Sequence, residues 1–122
     1  MLTKINLFIF GVAAAVVTAG ALLVANDLNR AALFDSSGFL ISGERFGIKV
    51  GDNFASVKYR LESMGLDMRG EGSRPGRCGA YEVKSDKIYY FYDFSWRRGV
   101  VCIGINADRV DTLSWYFNPL SP

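Results

Sequence analysis

The sequence predicts an α+β domain that follows an N-terminal transmembrane helix. Residues 7–25 form an uncharged apolar run, residues 54–64 carry a helical hydrophobic period, and three strand-like segments follow residue 86. The last three segments are joined by short turns, which is typical of an antiparallel meander. We therefore expect a transmembrane anchor at 1–25, a linker at 26–45, and at 46–122 a helix packed on a small three-stranded sheet.

The apolar run is long enough to cross a bilayer. As a helix it would span about 28 Å, close to the thickness of the hydrocarbon core. Lys4 precedes it, which favours a cytoplasmic N-terminus. A cleaved secretory signal is the alternative, because residues 19–21 (AGA) satisfy the small-residue pattern of a cleavage site. Both alternatives export the rest of the chain, and we expect a bacterial inner-membrane protein whose C-terminal domain lies in the periplasm.

Composition argues against several classes of function. The chain has 14 basic and 12 acidic side chains and no histidine. This balance does not predict nucleic-acid binding. Without histidine there is no Ser–His or Cys–His pair, and two cysteines alone make a poor metal site. We therefore expect no enzymatic activity, no cofactor and no metal, and we expect partners to be the membrane and another protein.

Cys78 and Cys102 are the two cysteines of the chain. An even count in a small exported domain predicts a disulfide. For a loop of this size the chain-entropy model gives a stabilisation of about 3–4 kcal/mol. Two separate buried thiols are the alternative.

The helical period predicts one well-defined helix in the exported domain. Asp52 or Asn53 can cap its start, and Gly65 can end it in the left-handed conformation. Apolar side chains recur at spacings of three and four residues, which places them on one face: Phe54, Val57, Leu61 and Met64. The glycine- and charge-rich residues 70–77 predict a loop.

The aromatic segment 87–96 predicts a strand with apolar side chains on both faces. One face would carry Ile88, Tyr90, Tyr92, Phe94 and Trp96. The other would carry Tyr89, Phe91, Asp93 and Ser95. Residues 100–105 and 110–117 predict the next two strands, with turns at 97–99 and 106–108.

One stretch resembles a known family. Residues 48–51 (IKVG), followed by Val57, Leu61 and Gly65, resemble the helix start of the SmpA/OmlA group, small envelope domains related to the assembly lipoprotein BamE. The resemblance covers about residues 46–117, with the strands up to 110–113 in the same order. It implies a helical part followed by a three-stranded sheet, in an envelope protein that binds other proteins without catalysis. The chain departs from that group in lacking a lipobox cysteine and in having Gly65-Leu66-Asp67 where Gly-x-Pro is usual.

One helix can cover one face of the predicted sheet. The other face is then either a binding surface or is covered by residues 26–45. The candidate contact residues are aromatic or arginine side chains of the kind enriched at binding hot spots: Phe91, Trp96, Arg97, Arg98, Trp115 and Tyr116. The sequence thus favours a membrane-anchored protein-binding or accessory subunit of a larger membrane complex. The alternative is a secreted periplasmic inhibitor or small-ligand binder released by signal cleavage.

Overall fold

The computed structural model describes residues 26–73 and 76–119, so the predicted anchor at 1–25 lies outside the described residues. Within those two ranges, no helix is both long enough and apolar enough to span a membrane. About 49% of the described residues are in strands and 20% in helices. The predicted α+β class is therefore wrong, and the fold is mostly β.

The main sheet has five antiparallel strands in the order β1-β9-β8-β7-β4. Two further strand pairs, β2–β3 and β5–β6, form separate hairpins. The helices are α1 (Asp27–Phe34) and α2 (Phe54–Ser63). The strands are β1 (Ser37–Leu40), β2 (Glu44–Arg45), β3 (Ile48–Lys49), β4 (Asp67–Ser73), β5 (Gly76–Cys78), β6 (Tyr81–Val83), β7 (Lys87–Asp93), β8 (Gly99–Asn106) and β9 (Arg109–Phe117).

The predicted meander corresponds to β7, β8 and β9, and the error lies in the strands that flank it. β4 pairs with β7 and includes residues 70–73, which were expected to form a loop. The ring of Tyr90 lies over its glycines, since a Cβ at Gly70 or Gly72 would meet that ring at 3.5 or 3.4 Å, an ordinary contact. On the other edge, residues 37–40 of the predicted linker pair with β9. A charged, glycine-rich edge strand lacks the apolar alternation that identifies a strand in a sequence.

One face of the main sheet carries the main core. Both helices and the β2–β3 hairpin pack against this face, through Leu28 and Ala31 of α1 and Val57 and Leu61 of α2. The predicted start and end of α2 are confirmed. Asn53 Oδ1 accepts the backbone N–H of Ser56 over 2.9 Å, and Gly65 follows the helix with φ 95°.

The second face is partly covered by the β5–β6 hairpin. Cys78 Sγ lies 2.10 Å from Cys102 Sγ, which confirms the predicted pairing and fastens the hairpin to the central strand β8. Val83 and Ile88 are buried beside these cysteines. The β5–β6 hairpin, residues 76–83, thus covers part of the second face. Helix α1, which lies within the predicted linker, packs on the first face instead.

The two helices begin at opposite ends of the sheet. We call the end where Asp93, Gly99 and Phe117 lie in register the Gly99 end. Here Arg97 Nη1 donates a hydrogen bond of 2.9 Å to Asn29 Oδ1, in the first turn of α1. At the opposite end, the backbone N–H of Phe54, which begins α2, bonds the carbonyl of Asp108 over 3.0 Å.

Candidate functional site: an aromatic groove

A groove of about 470 Å³ opens on the second face, where the β5–β6 hairpin stops. We call it the aromatic groove. Its lining combines ring faces, one aliphatic side chain and one guanidinium. The lining residues are Tyr92, Asp93, Phe94, Arg98, Gly99, Val100 and Tyr116.

Strand register builds the floor of the aromatic groove. Tyr92 pairs with Val100, and Val100 pairs with Tyr116, so these side chains stand side by side on three neighbouring strands. The hairpin tip closes one wall, because a Cβ at Gly79 would lie 3.2 Å from the ring of Tyr116. Beyond Gly79 the face is open to solvent, and Tyr92 and Tyr116 are exposed.

Phe94 forms the rim of the groove. It follows the last residue of β7 and is 67% exposed. Its ring stacks on Tyr92 with centroids 6.1 Å apart and an angle of 19° between the planes. The guanidinium of Arg69 lies 5.4 Å from the centroid of Phe94, within the range of a cation–π contact. The rim is therefore a layered stack of two rings and a cation that remains open to solvent.

A buried ion pair sets the conformation of the loop that carries Phe94. Arg97 Nε lies 2.6 Å from Asp93 Oδ2, and the side chains are 12% and 2% exposed. The other carboxylate oxygen of Asp93 accepts the backbone N–H of Ser95 over 3.0 Å. This turn ends β7 at Asp93, three residues before the predicted end of the strand.

The six predicted contact residues divide into two groups. Trp96, Arg98 and Tyr116 are exposed at the Gly99 end, and Arg98 and Tyr116 line the aromatic groove. The other three are not available as contacts at the surface. Phe91 and Trp115 are buried in the main core, and the partly buried Arg97 is the ion-pair partner of Asp93.

Five of the seven lining residues were not predicted as contacts, and three of these five supply apolar side chains to the groove: Tyr92, Phe94 and Val100. The alternation in segment 87–96 could have found the first two, because it places them on the face opposite Phe91. Val100 carries no such signal. It joins the groove only through the register that sets it between Tyr92 and Tyr116.

A second polar cluster lies on the same face but toward the opposite end of the sheet. Ser85 is buried, and its hydroxyl donates to Asp111 Oδ1 and lies 3.1 Å from Thr112 Oγ1. Asn106 donates its side-chain N–H to the other oxygen of Asp111. These groups bond one another and tie the start of β7 to β8 and β9, which is a structural role. In residues 26–73 and 76–119, no group of three or more acidic, cysteine or histidine side chains is placed to hold a metal ion.

Comparisons with known proteins assign no family to this chain. No protein-family model matches it, and no similar curated protein or solved structure was found.

Proposed function

We propose that this chain is a membrane-anchored, non-catalytic envelope protein whose aromatic groove binds an apolar segment of a partner protein. The observation that carries the proposal is the open stack of Tyr92 and Phe94 beside the exposed Tyr116. In this role the protein is an accessory subunit of a larger membrane complex. The apolar run at residues 7–25 supplies the anchor.

The chemistry of the aromatic groove suits protein recognition. Aromatic side chains contribute a large contact area at a small cost in conformational entropy, and together with arginine they dominate binding hot spots. The floor is rigid, because Tyr92, Val100 and Tyr116 project from paired strands. A preformed surface loses little order when a partner binds. An apolar side chain of the partner would replace water over the rings of Tyr92, Phe94 and Tyr116.

Site-specific photocrosslinking in living cells tests the groove. A photoreactive amino acid in place of Tyr116 in the full-length protein should capture one discrete partner. The same amino acid in place of Tyr59, which is exposed on the outer face of α2, is the matched control. Capture from both positions with equal yield, or from neither, would argue against a binding groove.

A second photocrosslinking experiment uses a variant that lacks the ring of Phe94 at the rim of the groove. Phe94→Ser should abolish capture by the photoreactive group at residue 116, while Tyr59→Ser in the same background should leave it unchanged. If Phe94→Ser leaves capture intact, the partner does not occupy the groove.

The secreted small-ligand binder remains a second candidate, because the volume of about 470 Å³ lies within the range of small-molecule sites. Mass spectrometry of the mature N-terminus separates the two candidates. An intact Met1 supports the anchored form, and a start near Leu22 supports the secreted one.

A further inference from the structure

We propose that the Gly99 end of the domain rests on the bilayer surface, with Leu33, Phe34 and Trp96 inserted at the level of the lipid headgroups. This orientation deepens the proposed function and rests on the membrane anchor that the proposed function includes. Lipid is the occupant of this surface, which is separate from the aromatic groove.

The exposed apolar side chains are concentrated at one end of the molecule. Nine large hydrophobic side chains are exposed among the described residues. Two of these nine are set apart by the elements that carry them: Ile41 follows the last residue of β1, and Tyr59 lies on α2. The remaining seven are Leu33, Phe34, Met68, Tyr92, Phe94, Trp96 and Tyr116. Scattered exposed apolar residues are normal for soluble proteins, whereas a cluster of this kind marks an interaction surface.

Hydrogen bonds place Leu33 and Phe34 at the same end as Trp96. The carbonyl of Ser36, two residues after Phe34, accepts the backbone N–H of Phe117 over 2.6 Å. The carbonyl of Asp35 accepts Trp115 Nε1–H over 2.9 Å. The C-terminus of α1 therefore lies beside the end of β9, and its start lies beside Arg97. Helix α1 runs across the Gly99 end from one side to the other.

The position of Asn26 shows which end of the domain faces the bilayer. The apolar run ends at residue 25, and Asn26 caps α1 with its side-chain oxygen 2.9 Å from the backbone N of Leu28. One helical turn later, Asn29 bonds Arg97. Since a helical turn rises about 5.4 Å, the chain joins the domain close to the loop that carries Phe94 and Trp96. If residues 7–25 span the bilayer, this end is the one held against it.

The side chains at the Gly99 end have the chemistry of a membrane interface. Tryptophan prefers the headgroup region, and phenylalanine and leucine insert just below it. Arg30 and Arg69 are more than half exposed, and long arginine stems can lie along apolar surface while the guanidinium meets lipid phosphate. Asp27 and Asp67 pair with these arginines, so we expect apolar insertion to contribute more than net charge.

The membrane-facing set does not overlap with the groove. Leu33, Phe34 and Trp96 do not line the aromatic groove, which opens beside them on the second face of the sheet. A partner bound there would be held near the headgroups. The segment that fits is therefore the juxtamembrane part of another membrane protein.

Depth-dependent quenching of tryptophan fluorescence tests the orientation. The full-length protein is reconstituted into vesicles of phosphatidylcholine and phosphatidylglycerol whose acyl chains carry bromine near the carbonyl. The chain has two tryptophans, and Trp115 is 3% exposed and shielded by the core. We expect brominated lipid to quench the emission of Trp96, and Trp96→Phe to abolish that quenched fraction. Phe34→Ser should reduce the quenching of Trp96, whereas the matched control Tyr59→Ser should not.

Each outcome supports or overturns a specific claim. Flotation of the vesicles shows whether the protein is anchored. An anchored protein whose Trp96 is not quenched overturns the orientation and leaves the groove proposal standing. A protein that does not float overturns both the anchor and the orientation. An anchored protein with quenched Trp96 but no crosslink from residue 116 supports the orientation and contradicts the groove.

Discussion

The guanidinium of Arg97 binds the side chain of Asn29, which lies 68 residues earlier in the chain. Its Nε lies 2.6 Å from the carboxylate of Asp93 at the end of β7, and its Nη1 donates to Asn29 of α1. Because Asp93 is buried and Arg97 is only 12% exposed, solvent ions screen this pair less than a surface salt bridge. Arg97 thereby holds α1, β7 and the loop of Phe94 in one arrangement.

Arg97→Ala should strongly destabilise the protein. The substitution leaves the Asp93 carboxylate buried without its partner, which typically costs about 3–5 kcal/mol. Urea unfolding of the full-length protein in mild detergent, followed by circular dichroism, measures this loss. Lys84→Ala, which removes an exposed positive charge, is the control and should change the free energy of unfolding by less than about 0.5 kcal/mol. Equal effects of the two substitutions would show that the ion pair contributes nothing specific.

Removal of the disulfide should destabilise the domain and loosen the β5–β6 hairpin first. Cys78 and Cys102 are 24 residues apart, and a loop of this size corresponds to about 3.5 kcal/mol in the chain-entropy model. Reductant should lower the unfolding midpoint of the wild-type protein. It should have no effect on the Cys78→Ala/Cys102→Ala double variant. Amide exchange should rise earliest in Tyr81–Val83; a uniform rise throughout the sheet would contradict a local role for the bond.

Phe91 and Phe94 should respond to truncation in opposite ways. Phe91 is fully buried in the main core, so Phe91→Ala should cost about 3–5 kcal/mol. Phe94 is exposed at the rim of the groove, so Phe94→Ala should cost less than about 1 kcal/mol and leave the fold unchanged. Unfolding curves of the two variants provide the measurement. A large loss at Phe94 would mean that its stack with Tyr92 stabilises the fold as well as forming the rim.

Gly38 should not tolerate a side chain, whereas Gly70 should. A Cβ at Gly38 would lie 2.1 Å from Trp115 Cζ2, whereas a Cβ at Gly70 would meet Tyr90 at 3.5 Å, an ordinary contact. Gly38→Ala should therefore cost about 1–3 kcal/mol through overpacking. Gly70→Ala should be neutral or slightly stabilising, because alanine reduces the freedom of the unfolded chain. Thermal unfolding of both variants checks this, and similar midpoints would show that the indole of Trp115 moves aside at little cost.

The parts of the fold that were predicted correctly depend on local patterns. The 3.6-residue period from Phe54, the capping side chain of Asn53 and the terminating Gly65 define α2 within a single stretch of chain. The three strands of the meander follow in the same way from aromatic and β-branched segments. The cysteine pair followed from an even count of cysteines and from the expectation that the domain is exported.

The errors arise where the structure depends on pairing between distant segments. β4 forms by pairing with β7, and β1 forms because Gly38 fits beneath the indole of Trp115. Neither reason is visible before the partner strand is known. The same limit applies to the groove. Phe91 and Trp115 are aromatic residues of the kind that often contact partners, but strand register turns both side chains into the main core. Arg97 was expected at the surface because its partners, Asp93 and Asn29, lie on other elements.

Asn26 adopts an extended backbone, with φ −74° and ψ 124°, and its side chain begins α1 anew. A helix cannot continue through a residue in this conformation, so α1 begins as a separate helix at Asp27. Its direction is therefore set by bonds within the domain, which run from the backbone N–H of Phe46 to Asp27 and from Arg97 to Asn29.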